Sequence, residues 1–505
     1  MAKTIVTNPI MWSDVPDVDP IRVGDTYYMV STSMHSMPGC PIMKSKDLMN
    51  WEIAGYLYET FEDNDAHNLS NGRHIYSKGS WAASLKHHNG RFYVCFSSND
   101  TQSFYVYTTD NIEQGPWTRS VIPGLRHDPA LLFDGDRTYV FYGNGDIYIT
   151  ELTSDASAVK DGGINQLLFQ TESEGIGLRC EGCHAYSING YYYLFFIEWP
   201  RTGHGRRRQI CYRSRELLGP YERKIVLDDD LGYRNKGVAQ GGIFDTPQNE
   251  WYAMLFQDHD AVGRIPCLVP VAWQEDWPVF GIDGKVPERF EVNLPPAPTG
   301  PLVISDEFNY SINRLALNWQ WNHNPDNRFW SVTERPGFLR LTAGSLASSV
   351  LQARNTLTQR TEGPACEAAV RLDTALMKPG DHAGLVALQS GFGTIGVKKG
   401  ENGEAAITMC VNGGEGDEKE LASVPLDAAV VDLRIHFNFK DSADIATFWY
   451  SVDGSEWQAL GEKLEMRYTL DHFMGYRIGL FQYATAATGG SADFHYFRYS
   501  KLLGE

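Results

Sequence analysis

The chain has 505 residues, 42% of them hydrophobic and 21% charged, with a formal net charge of -19. That length is too great for one ordinary core and predicts two domains, and the composition is that of a folded globular protein. The negative charge argues against nucleic acid or another polyanion as partner, since phosphate binding needs clustered Lys and Arg.

The opening "MAKTIVTNPIMW" has no charged-then-apolar leader pattern, and no apolar run reaches about 18 residues. The expectation is a cytoplasmic protein without a membrane contact. Five hairpin-like segments follow: "RVGDTYYMVST" (22–32), "HNGRFYVCFSS" (88–98), "FDGDRTYVFYG" (133–143), "INGYYYLFFIE" (188–198) and "PQNEWYAMLFQ" (247–257). Each is a polar turn, mostly Gly-containing, followed by an aromatic and β-branched run, which is hairpin chemistry. The repeat is of the order expected for propeller blades, roughly 40–50 residues with loop insertions. Residues 1–294 are therefore read as a five-bladed β-propeller.

Seven to nine residues before each turn stand Asp17, Trp81, Asp128, Glu181 and Gln240. Inner strands of a propeller line one channel, so equivalent positions converge. Three converging carboxylates and a Trp match glycosidic-bond cleavage: one carboxyl donates a proton, one acts as base or nucleophile, and a third tunes the donor. The Trp supplies a face for a sugar ring. The rival for any single acid is a structural pair with Arg or a turn cap, and a divalent cation held by several carboxylates is a further alternative.

The eight cysteines are too few for a disulfide scaffold and are expected to be free and buried. Cys180-x-x-Cys183 lacks partner ligands for zinc and precedes a strand rather than opening a helix, against metal or redox use. "HGRRR" (204–208) reads as a solvated loop. After the Pro-rich stretch "NLPPAPTGP" (293–301), which marks a linker over 295–302, short alternating segments such as "EAAVRLDT", "ATFWYSVDG" and "YRIGLFQY" predict a β-sandwich over 303–505, in a supporting or binding role.

At these residues the chain resembles glycoside hydrolase family 43, over essentially its whole length. "VTNPIMWSDVPDVDPIRVGDTYYMVSTS" resembles the family's opening, which implies Asp17 as general base, with Asp19 as the fallback on the same strand face. "RHDPALLFDGD" resembles the segment whose Asp tunes the acid, implying that role for Asp128. "CEGCHAYSINGYYYL" resembles the general-acid segment, implying Glu181 as acid and keeping His184 beside it, with Cys183 where Pro is common. "GSWAASLKHHNGRFY" implies a substrate-facing Trp81, with Ala83 in place of Pro. "DHDAVGRIPCL" implies that Arg264 contacts sugar hydroxyls; its structural alternative is a salt bridge between blades.

Many members hold a channel calcium with help from a His on the fifth inner strand. Here Gln240 stands at that place, so no metal is required and the channel is open to calcium, a sodium-like ion or water. The C-terminal part resembles the concanavalin-like sandwich of the β-xylosidase branch, which closes one side of the pocket. The resemblance implies inverting, exo-acting release of xylose or arabinose from short oligosaccharides, and leaves homo-oligomerisation open. The rivals are a non-catalytic sugar-binding propeller, which would lack one of the acids, and a retaining fructan-type hydrolase, whose "WMNDPNG" opening is absent.

Overall fold

A computed structural model describes residues 3–414 and 418–502. The N-terminal part is five four-stranded antiparallel sheets, each made of strands consecutive along the chain except that the first skips a short strand at Ser36–Met37. Each of the five predicted hairpins is the first hairpin of one blade. Their turns close at Val23↔Thr26, His88↔Arg91, Asp134↔Arg137, Ile188↔Tyr191 and Asp245↔Trp251. In blades 2 and 4 the turn is Asn-Gly with both residues left-handed (Asn89 φ 50, Gly90 φ 79; Asn189 φ 51, Gly190 φ 76). That conformation matches the twist of the flanking strands, which is why those hairpins were legible.

The first strands of blades 1 to 4, namely Asp19–Val23, Ser84–His88, Ala130–Asp134 and Ile176–Ile188, lie side by side in succession, and Ile243–Asp245 of blade 5 packs back on blade 1. They enclose the channel. The ring is fastened by Thr4–Thr7 at the start of the chain, which pairs antiparallel with Arg289–Val292 after the fifth blade.

The C-terminal part is a two-sheet sandwich. One sheet runs from Lys419–Pro425 through Asp381–Leu388 and Arg477–Ala484 to Gln320–Asn322; the other includes Ala365–Asp373, Val430–Asn438, Ile445–Ser451 and Ser491–Leu502. Ala365–Asp373 alternates as a half-buried strand must: Ala368, Val370 and Leu372 point in, Glu367, Ala369 and Arg371 outward. Among the described residues no helix is long and apolar enough to cross a membrane.

The two parts are fused. Ser36–Met37, from the first blade's insertion, is the edge strand of a sandwich sheet, paired with Trp321 and Asn322. A single apolar cluster joins Met37, Cys40, Ile42, Ile75 and Val262 of the propeller to Trp319, Trp321, Leu357 and Leu480 of the sandwich. All eight cysteines are buried and unpaired. "HGRRR" is not a solvated loop, contrary to expectation. Arg206 pairs with Asp228 and Asp230, Arg207 with Asp258, and Arg208, which opens a strand, with Glu198. A charge run reveals its sign but not its partners, and these four acids lie elsewhere in the chain.

Candidate active site

The site is built just before three of the inner strands and at a bulge within the fourth blade's Ile176–Ile188, where the chain passes through left-handed residues: Asp17 (φ 53), Asp128 (φ 46), Gln240 (φ 62) and Gly182 (φ 67). For Asp and Gln such backbone costs about 1–3 kcal/mol each, and it persists where the surroundings over-determine it. Gly182 has a second constraint, because a Cβ there would stand 2.6 Å from the Gln240 side chain.

Asp17 is 6% exposed and is held by three donors. Thr32 Oγ1 donates to Oδ2 at 2.6 Å; Arg264 Nη1 and Gln240 Nε2 donate to Oδ1 at 2.7 and 3.0 Å. Three bonds leave one lone-pair direction of the carboxylate free. Arg264 has the structural role given above as its alternative. It is a salt bridge between blades 5 and 1, yet its buried Nε and Nη2 have no partner in the protein. Its guanidinium lies over Phe473 at 4.9 Å and Phe256 at 5.3 Å.

Asp128 accepts the Gly182 amide at 2.9 Å. Burial pushes its carboxyl up to about 6; His127 opposes the shift, whereas Glu181 and Asp17 add to it. Glu181 Oε2 lies 3.0 Å from His127 Nε2 and 2.6 Å from Asn144 Nδ2. His127, Asp128 and Glu181 each bring one polar atom within 4.8 Å of the others. The Asp128 carboxylate, reinforced by the bond to Glu181, pushes the His127 imidazole up to about 9 against the effect of burial. Trp81 stands edge-on to His127 (5.8 Å) and to Phe473 (6.3 Å).

A cavity of about 260 Å³ opens beside Glu181, Gln240 and Arg264, with Arg207 and Trp199 on its wall. Tyr468, Leu470 and Phe473 of the sandwich complete the lining. It is small beside the roughly 300–1,000 Å³ usual for ligand sites, so it suits one sugar rather than a chain. His127, Asn144, Arg207 and the three sandwich residues were not singled out from sequence. "RHDP" carried His127 in plain view next to Asp128, whereas the loop bearing Phe473 has no signal short of the docked structure.

Of the expected residues, Glu181, Gln240 and Arg264 line that cavity; Asp17, Asp128 and Trp81 do not, and His184 and Asp19 pair with each other in the channel apart from it. His184 Nδ1 is 2.9 Å from Asp19 Oδ1, and Asp19 Oδ2 also accepts the Leu85 amide at 2.7 Å. Asp19 is fully buried. Burial alone would push its carboxyl up, but Lys86 and His184 outweigh it and hold the group below the usual carboxylate range. Lys86 Nζ is 3.9 Å from Asp19 and 4.5 Å above the Tyr186 ring. This centre does not fit calcium, which takes 6–8 oxygen ligands. It offers one carboxylate, already bonded at both oxygens, beside an ammonium that would repel a cation.

Comparison with known proteins agrees with this architecture. Residues 6–278 match the model described as glycosyl hydrolases family 43. The chain belongs to that family. Residues 305–500 match the beta xylosidase C-terminal concanavalin A-like domain. A beta-xylosidase of Formosa agariphila is 30% identical, covering 97% of this chain and 90% of the relative. A non-reducing end alpha-L-arabinofuranosidase of Bacteroides ovatus is 28% identical, over 76% of this chain and 74% of its own. Among solved structures, a bifunctional GH43-CE protein of Bacteroides eggerthii is 44% identical with a TM-score of 0.93. It matches all of this chain, which spans 64% of that longer one. This family 43 chain is thus a glycosidase whose substrate is a carbohydrate, and its three acids meet at the channel mouth.

Proposed function

We propose that the protein is an exo-acting, inverting glycoside hydrolase that releases terminal xylose, arabinose or both from short hemicellulose-derived oligosaccharides. The observation that carries this reading is the one-sugar pocket lined by Glu181, by Arg264, which pairs with Asp17 behind it, and by Phe473 of the sandwich. Asp17, fixed by three donors with one lone pair free, takes a proton from water as the water attacks C1. Glu181 protonates the departing oxygen. Asp128, unable to bear a full charge easily beside Glu181, keeps a proton in the acid cluster and fixes the Gly182 backbone next to Glu181. The free Nη2 and Nε of Arg264 bond sugar hydroxyls. Xylose and arabinose are carried over from what the relatives are named for. The channel centre, with Lys86 as its cation, supports catalysis without a resident metal.

The deciding experiment measures initial rates on nitrophenyl β-D-xyloside and nitrophenyl α-L-arabinofuranoside for wild type and Asp17→Asn, and the anomer first released by NMR. Cleavage of either with inversion, lost in the variant, is the expected result, and the rate ratio ranks the sugars. First release of the retained anomer, or a fully active variant, would sink the reading.

A further inference from the structure

We propose that His127 stores the proton that Glu181 delivers to the leaving group, so that the acid of this site is a His127–Glu181 pair rather than a lone carboxyl. The inference rests on the proposed role of Glu181. Its ground is geometric. Nε2 of His127 and Oε2 of Glu181 are 3.0 Å apart, so a single proton on that line is shared between imidazolium–carboxylate and imidazole–carboxylic acid. Asn144 Nδ2 donates to the same Oε2 at 2.6 Å, which favours the carboxylate form of Glu181 until a sugar binds. The imidazole faces Asp128 at 3.5 Å, Glu181, the more distant Asp17, and the edge of Trp81. Those carboxylates favour its charged form. Its side chain is 26% exposed, so the ring has a route to solvent protons, whereas Asp128 is almost closed off at 9%.

Sugar binding supplies the drive. A ring filling the cavity removes water from Glu181, which lines it, and desolvation disfavours the carboxylate. The ion pair then relaxes to imidazole and carboxylic acid as Nε2–H passes to Oε2. The carboxylic acid gives that proton to the glycosidic oxygen as the C1–O bond breaks and its electron pair stays on oxygen. Water oxygen bonds to C1 and its proton goes to Asp17. One water is consumed, the sugar and the alcohol leave, Asp17 releases its proton to solvent, and His127 takes one back. His127 acts through Glu181 and touches neither sugar nor water in this scheme.

The test pairs His127→Gln, which keeps an amide donor but no transferable proton, with Glu181→Ala. Rates are read on xylobiose, whose leaving group needs protonation, and on dinitrophenyl β-D-xyloside, whose leaving group does not. The expected result for His127→Gln is a loss of about 10–100-fold on xylobiose, within the range of an acid catalyst, and little change on the activated xyloside. The alkaline limb of the xylobiose pH profile should also move down by about one unit or more. Equal losses on both substrates with an unmoved limb would mean a structural role and overturn the proposal. So would a variant as active as wild type on both. Glu181→Ala separates the two layers: if it cleaves xylobiose normally, the acid assignment itself fails; if it does not, a normal His127→Gln condemns the relay alone. Nitrogen NMR of wild type covers the case of a variant that does not fold. The His127 ring should be doubly protonated at pH 7 in the free protein and neutral with xylose bound; a neutral ring in the free protein overturns the proposal.

Discussion

Arg264 Nη1 donates to Asp17 Oδ1 at 2.7 Å, and both side chains are only 7% exposed. Buried pairs of this kind are asymmetric in their consequences. Removing one partner strands the other charge and costs about 3–5 kcal/mol; a neutral acceptor in place of the carboxylate also leaves that charge uncompensated, but keeps it hydrogen-bonded. Arg264→Met is therefore expected to lose stability on that scale and to bind sugar poorly. Asp17→Asn keeps an Oδ1 for Arg264 and Gln240, so it should remain folded while kcat falls by about 10²–10⁴ as for other lost bases. Urea unfolding beside steady-state rates checks this. A variant Asp17→Asn as unstable as Arg264→Met would show that Asp17 is there for the fold and not the chemistry.

A cluster of aromatic rings at the domain junction sets the acid limit of the molecule. His35 of the propeller packs 4.6 Å from His472 and 5.2 Å from His323 of the sandwich, with Tyr76 against all three. Burial holds all three imidazoles below their usual range, His472 down to about 3. In the unfolded chain each binds a proton below about pH 6.5. The unfolded state therefore binds more protons there, and stability falls as the pH drops below that value. For His472 the loss at pH 5 is about 2 kcal/mol, from a difference of about 3.5 units that is partly expressed at that pH. Denaturant melts from pH 7.5 to 5 should slope downward in wild type and less steeply in His472→Phe. Parallel slopes would remove His472 from the account.

Lys86 makes a prediction about metal. Because its ammonium compensates Asp19 from 3.9 Å in a channel centre already bonded to His184 and Leu85, activity and melting temperature should be unchanged by a strong chelator and by added calcium. Lys86→Met should lower stability, since the buried Asp19 carboxylate then loses the ammonium beside it. Loss of activity on chelation, restored by calcium, would contradict the assignment of Lys86 as the centre's cation.

The residues divide by how their structural partners are encoded. The propeller was legible because each blade declares itself locally, in a polar turn and an aromatic strand, as at Asn89-Gly90 before Arg91–Ser98. Asp17, Asp128, Glu181 and Gln240 were legible because they occupy one offset from those turns, and the ring brings that offset to one place. Asp19 and His184 share the strand register but point into the layer below, a distinction of depth that spacing does not carry. Arg207 was misread within "HGRRR" because its acid, Asp258, is on the next blade. Tyr468 and Phe473 were invisible for a stronger reason: their contact with the site exists only through docking of two domains, which brings them to Arg264 from more than 200 positions away in sequence.

That docking leads to the last expectation. Domains within one chain usually meet through modest, fairly polar interfaces and survive separation. Here the buried cluster around Met37, Cys40, Ile75 and Val262 is closed by Trp319, Trp321, Leu357 and Leu480, and Ser36–Met37 completes a sandwich sheet. Backbone bonds cross as well: Gly363 N to Trp12 O at 2.8 Å, Tyr476 N to Ala261 O at 2.9 Å, and Gly475 N to Asp14 Oδ2 at 2.8 Å. A chain cut after residue 302 would expose one side of this cluster to water, a large apolar patch of the kind that drives aggregation. It would also lose the Phe473 wall of the pocket. The isolated propeller is expected to be insoluble or molten, and the full chain to unfold in a single transition. Scanning calorimetry of the full chain and solubility of residues 1–302 measure both. Two separated transitions, with a soluble and active propeller, would mean that the sandwich is an appendage and that the site is complete without it.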